Sequence, residues 1–134
     1  MKFVTVIVAA LLLAGCFPVY KTLQPSANAT VVDELGKPIP EAKVVLIASS
    51  YPYGRERFRH QKNTWSNGEA EFPSIREWRI ESLMIHGVEF FFWNWCVEKD
   101  GFITTYTSHR SDNDFDRNPQ FVLKPGQSES CANK

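Results

Sequence analysis

The stretch that most constrains the fold is Glu89 to Val97, where Phe90-Phe91-Phe92-Trp93-Asn94-Trp95-Cys96-Val97 runs almost wholly apolar. Aromatic and β-branched side chains suit a pleated, half-buried surface, so a strand is expected. Two-residue alternation puts Phe91, Trp93, Trp95 and Val97 on one face and Phe90, Phe92, Asn94 and Cys96 on the other. In an antiparallel sandwich one face ordinarily meets water, and here both are apolar. Either the second face is covered, by loops, by residues 73–87 or by the C-terminal tail, or Phe90 and Phe92 belong to an exposed patch for a protein partner. Ten Phe, four Trp and four Tyr tilt the whole chain toward all-β. Its 134 residues suffice for one domain with its own core. Fifteen basic residues balance fifteen acidic ones, so charge gives no pull toward nucleic acid, and no nucleic-acid partner is expected.

The N-terminus has a different character. Lys2 is followed by an uncharged, almost wholly apolar run from Phe3 to Leu13, too short to span a bilayer as a mature helix and the right length for a signal-peptide core. The run ends Leu13-Ala14-Gly15-Cys16, which resembles the bacterial lipoprotein signal. That resemblance implies cleavage of residues 1–15, lipidation of Cys16 as the mature N-terminus, and a membrane partner held through the lipid. Phe17 in place of aspartate after the cysteine is similar to lipoproteins sorted to the outer membrane, which implies a location in the cell envelope facing the periplasm. Residues 16–28, with two prolines and little charge, read as the lipidated cysteine and a flexible spacer. With Cys16 taken, Cys96 and Cys131 are left, and an exported chain sits where two thiols tend to become a disulfide. Such a bridge pins the tail, residues 127–134, onto the domain; two free buried thiols are the alternative.

Four further motifs carry a second resemblance. Gly36-Lys37-Pro38-Ile39-Pro40-Glu41-Ala42-Lys43-Val44 is similar to the opening of carboxypeptidase regulatory-like domains, whose wording is Gly-Lys-Pro-Ile-Pro-Gly-Ala-x-Val. Thr64-Trp65-Ser66-Asn67-Gly68-Glu69-Ala70-Glu71-Phe72 resembles that family's Thr-x-x-Asp-Gly-x-x-x-Phe hairpin, in which the Asx-Gly pair supplies the positive φ of a tight turn. Val97 to Phe102 and Phe121 to Pro125 resemble its Gly-Tyr hairpin and closing strand. The resemblance covers residues 29–126 and implies a transthyretin-like Greek-key β-sandwich of about seven strands. Glu41 departs from the pattern, standing where the family has glycine, and Phe72 to Gly87 is longer than the family's spacing, which leaves the strand order around residues 73–87 open. Ser74 and Glu77 suit a helix-capping box, yet Trp78, Ile80, Ser82 and Met84 alternate with Arg79, Glu81, Leu83 and Ile85, and the strand is preferred.

Motifs for catalysis are missing: there is no Gly-x-Ser-x-Gly elbow, no His-Glu-x-x-His and no phosphate-cradling glycine loop. His60, His86 and His109 lie far apart in sequence, and the ureide-hydrolysing transthyretin-like enzymes end in a Tyr-Arg-Gly-Ser tail that this chain lacks. No enzyme activity, no cofactor and no metal is expected. Asp112-Asn113-Asp114-Phe115-Asp116 looks like half a calcium loop, but Arg117 stands where glycine must bend it and Leu123 where a glutamate must close it. Arg55, Arg57 and Arg59 fall on alternate positions and form one basic edge if extended, either as protection against edge-to-edge pairing or as a contact for anionic lipid or an acidic partner. The expected function is thus a membrane-anchored, non-enzymatic protein-binding or structural module. The rivals are an immunity or inhibitor lipoprotein that inserts the loop Tyr51 to Lys62 into a toxin or hydrolase, and a lipoprotein of a secretion apparatus.

Overall fold

The computed structural model describes residues 2–13, 15–52, 54–82 and 88–133. Among the described residues a helix, α1 (Lys2–Leu13), precedes nine strands: β1 (Cys16–Gln24), β2 (Ala27–Asp33), β3 (Lys43–Tyr51), β4 (Arg55–Asn63), β5 (Glu69–Phe72), β6 (Ile75–Ser82), β7 (Phe90–Glu98), β8 (Thr105–Tyr106) and β9 (Gln120–Leu123). The chain is therefore mostly β, with strands in three open sheets ordered β5-β2-β9, β4-β3-β7-β8 and β1-β6. All described pairings are antiparallel except that of β2 with β9. The described side chains of α1 stay out of the core, with Phe3, Val4, Val6 and Ile7 exposed. Among the described residues no helix is long and apolar enough to cross a membrane.

The three- and four-stranded sheets share one core, an arrangement consistent with an all-β sandwich. Ala29 and Val31 of β2, Ala70 and Phe72 of β5, and Phe121 and Leu123 of β9 meet Val44, Leu46 and Ala48 of β3 and Phe91, Trp93, Trp95 and Val97 of β7. The inward set on β7 is the one its alternation predicts. Trp95 sits at the centre, its ring stacked on Phe115 at 5.5 Å and edge-on to Phe72 and Phe121 at 5.3 and 6.3 Å. Its indole N–H donates to the Asp116 carbonyl at 3.0 Å, so the one polar atom of this buried ring has a partner.

The opposite face of β3 and β7 is covered as well. Val45, Cys96 and Cys131 form a second buried cluster, with Ile47 packed against it. Cys96 and Cys131 are joined in a disulfide, their Cα atoms 5.9 Å apart. Between this cluster and Phe92 the cover is a loop: Asn94 donates to the His109 carbonyl at 3.1 Å, and the Thr107 hydroxyl receives the Trp95 amide at 2.8 Å. The second apolar face of the aromatic strand is thus explained over its C-terminal half by the tail and the 107–109 loop.

The turn between β2 and β3 is clamped by Thr64, which is fully buried. Its hydroxyl donates to the Ile39 carbonyl at 2.7 Å and accepts from the Ala42 amide at 2.9 Å. The clamp forces residue 41 into the left-handed region, and Glu41 adopts a φ of 55° there. Left-handed backbone costs a residue with a Cβ about 1–2 kcal/mol, while a glycine gives back about 0.5–1 kcal/mol of that as lost chain entropy. Glu41→Gly is accordingly expected to raise the unfolding free energy by about 0.5–1 kcal/mol. Urea titration measures this, and a lowered midpoint would mean that the 3.2 Å contact of the Glu41 carboxylate with Asn63 outweighs the strain. Gly68 has a φ of 79°, and a Cβ built on it would stand 2.6 Å from the Val31 carbonyl oxygen, so the Asn67-Gly68 turn admits no side chain.

One segment differs from what the sequence led one to expect, and one left open is resolved. Within the stretch read as a flexible spacer, Cys16–Gln24 is strand β1, and its partner is β6, the strand preferred for the long insertion. A two-stranded ribbon leaves one edge of each strand open, which is where Pro18, lacking an N–H, is tolerated. The strand order left open around 73–87 resolves over Ile75–Ser82 as this separate ribbon; the remaining expected strand positions, Leu83, Met84 and Ile85, and also His86, lie outside the described residues. The seven other strands make up the two sheets that share the core.

Candidate functional site

Cys16 is the first residue of β1, exposed, and outside any disulfide. Its strand runs antiparallel to β6 with Cys16 opposite Ser82, Pro18 opposite Ile80, Tyr20 opposite Trp78 and Thr22 opposite Arg76. Residues directly opposite share a face and alternate residues along a strand share it too, so these eight lie on one side of the ribbon. The other side carries Phe17, Val19 and Lys21 against Glu81, Arg79 and Glu77.

The second side is only partly covered, with Phe17 37% exposed and Glu77 keeping 51% of its side-chain surface, but the most buried and the most exposed residues of the ribbon are the reverse of what polarity suggests. Trp78 and Ile80 are 70% and 80% exposed and Tyr20 52%, whereas Lys21 and Glu81 keep only 14% and 9% of their side-chain surface. Lys21 donates to a Glu81 carboxylate oxygen and to the Glu89 carbonyl, and its ammonium lies 5.9 Å from the centre of the Phe91 ring. The alternation of Trp78 and Ile80 with Arg79 and Glu81 is legible in the sequence. For β6, the rule that apolar residues turn inward would have placed Trp78 and Ile80 inward and Glu81 outward, the opposite of what is found.

The three arginines do not form one basic edge. The pairing of β4 with β3 shifts between Ala48 and Ser49, so that Ile47 opposes Arg59 while Ser49 opposes Glu56. Such a bulge flips the parity of the strand across one residue. Arg59 therefore shares a face with Glu56, forms an ion pair with it and donates to the Cys131 carbonyl at 2.9 Å, over the disulfide. Arg57 lies 3.0 Å from a Glu89 carboxylate oxygen, an ion pair whose angles fall short of a hydrogen bond. Arg55 is the first residue of β4 and opposes Ser50 of β3. β4 is nevertheless an edge strand of its sheet, as expected for a charged one.

Phe90 and Phe92 lie on the outer face of β7, opposite Tyr51 and Ser49. Phe90 is 63% exposed and Tyr51 56%, while Phe92 is half-buried. The aromatic patch therefore exists at one end of the strand and fades where the loop takes over.

Glu98 secures the tail. Its carboxylate accepts the Cys131 amide and lies 2.5 Å from the Lys43 ammonium. Burial by itself would raise this carboxyl, but the amide and the ammonium outweigh it and hold Glu98 below the ordinary glutamate range. Among the described residues no cluster of His, Cys, Asp or Glu is disposed to hold a metal ion. Asp112–Asp114 form a single 3-10 turn that Ser111 caps, and it carries Phe115 onto Trp93 and Trp95. His60 lies 2.5 Å from the amide oxygen of the fully buried Gln24, which ties the root of β1 to β4. An open cleft of about 540 Å³ lies elsewhere, lined by Asn28, Lys62, Trp65, Glu71, Arg117 and Asn118.

Neither a family model, a curated protein nor a solved structure matches this chain.

Proposed function

We propose that this chain is an envelope lipoprotein, tethered to the outer membrane through Cys16 and facing the periplasm, that presents a transthyretin-like β-sandwich as a non-enzymatic protein-binding or structural module. The observation that carries the reading is the position of Cys16. It follows Leu13-Ala14-Gly15, lies outside the core, takes no part in the disulfide and is exposed for modification. The carboxypeptidase regulatory-like assignment draws support from Glu41, whose φ of 55° is the conformation that the glycine of the family pattern would supply, and from the positive φ of Gly68 and Gly101 in the two hairpins.

Cys16→Ser is the direct test. Cells grown with labelled palmitate are expected to label the parent chain and leave the serine variant unlabelled; equal labelling of both would overturn the tether. A second reading, an inhibitor or immunity lipoprotein, is favoured by the exposed rings of Tyr51 and Phe90, which oppose each other at one end of the four-stranded sheet. Large aromatic side chains are among the residues that most often anchor a protein interface.

A further inference from the structure

The outward face of the β1–β6 ribbon is built for surroundings other than bulk water. Turning a strand over requires a slip of only one residue in register, and that slip would put Trp78, Ile80 and Tyr20 inward and Lys21 and Glu81 in solvent. The fold does the opposite. It buries a Lys21–Glu81 ion pair, whose desolvation is costly, and leaves two large apolar side chains and a tyrosine uncovered. Inversion of this kind is expected where the outward face meets something apolar.

What it meets is indicated by the order of residues along that face. Cys16 lies on it, so a lipid on its sulfur emerges on the same side. Next comes the apolar pair Pro18 and Ile80, then Tyr20 and Trp78 with ring centres 5.2 Å apart, then Arg76, whose guanidinium lies 5.6 Å over the Tyr20 ring and whose Nε donates to Thr22 at 3.0 Å. From Cys16 to Thr22 is about 20 Å of strand. This sequence of acyl attachment, aliphatic contact, amphipathic aromatics and finally a cation matches the layers of a bilayer interface. Tryptophan and tyrosine concentrate at headgroup level, and arginine there donates to phosphate oxygens.

We propose that the outward face of this ribbon lies in the lipid–water interface of the membrane that holds Cys16, so that the domain is oriented on the membrane by a second, non-covalent contact. This rests on the tether proposed above. The ribbon then acts as a foot, and the tip at Tyr51 and Phe90 is presented in a defined direction.

The test uses the full chain expressed in bacteria, purified in detergent and reconstituted into vesicles of phosphatidylcholine and phosphatidylglycerol, with or without bromine on the acyl chains. Trp65→Phe removes the other exposed tryptophan; Trp93 and Trp95 are buried in the core. The difference between Trp65→Phe and Trp65→Phe/Trp78→Phe then isolates Trp78. The expected result is quenching of Trp78 in brominated vesicles together with a blue-shifted emission, both diminished by Tyr20→Ser/Ile80→Ser while thermal unfolding stays unchanged. Intact mass of the same preparation separates the two ways to fail. A product lacking acyl groups overturns the tether, and the ribbon contact with it. An acylated product whose Trp78 remains unquenched and red-shifted overturns the ribbon contact alone, as does a Trp78 that is protected without vesicles because two copies cross-link through β1 or β6.

Discussion

Trp95→Ala is expected to lower the unfolding free energy by about 3–5 kcal/mol, the range for truncating a fully buried large aromatic. The ring is 1% exposed and fills the space between the two sheets that share the core, against Phe72, Phe115 and Phe121. Its removal leaves a cavity lined by side chains from β5, β9 and the 112–116 turn, and it leaves the Asp116 carbonyl without the indole donor. A domain of this size has a total stability of about 5–15 kcal/mol, so the variant keeps little in reserve at physiological temperature. Urea unfolding followed by far-UV circular dichroism measures the loss. Trp78→Ala is the control: its ring is 70% exposed in the unbound chain, and a change within about 0.5 kcal/mol is expected. Equal losses in the two variants would show that the sheets do not close on Trp95.

Replacing both bridge cysteines, as Cys96→Ser/Cys131→Ser, is expected to cost roughly 3–4 kcal/mol, the chain-entropy value for a loop of this length. The bridge spans 35 positions and holds the tail over Val45 and Ile47. Its loss has a further signature in acid. Glu98 is held below the ordinary glutamate range, so it contributes stability above that range and loses the contribution as pH falls through its lower folded value. Part of the cause is the Cys131 amide, which leaves with the tail. The double variant is therefore expected to be less stable at neutral pH and to lose less further stability between neutral and acidic pH than the parent. Thermal unfolding over that interval, under non-reducing conditions, reads both effects. An acid sensitivity identical in parent and variant would mean that the Lys43 contact alone depresses Glu98.

The β class and the inward set of β7 follow from pattern alone, because alternation of large apolar residues leaves few ways to bury Phe91, Trp93, Trp95 and Val97 together. The Asn67-Gly68 turn was legible for a similar reason: a positive φ beside a close backbone approach demands glycine. The pairing of Cys96 with Cys131 is legible from the count of three thiols once Cys16 is set aside, and the packing of the tail supplies its geometry. The arginines were misread because alternation assumes an unbroken strand. The bulge at β4 is set by its pairing with β3, which no local pattern records, and it divides Arg55, Arg57 and Arg59 among different neighbours.

β1 escaped sequence reasoning for a related reason. Nine residues with two prolines nearby have no local claim to be a strand; they become one because β6, which begins more than fifty residues later, pairs with them. Residue type by itself determined that this chain has an apolar N-terminal run followed by a cysteine, a strand-forming body and a strand too apolar for one wet face. Which face of the β1–β6 ribbon looks outward was decided by tertiary structure alone. Period-two alternation separates the two faces of a strand but does not say which one the rest of the molecule will cover. Here the body covers Lys21 and Glu81 and leaves Trp78 and Ile80 on the side of Cys16.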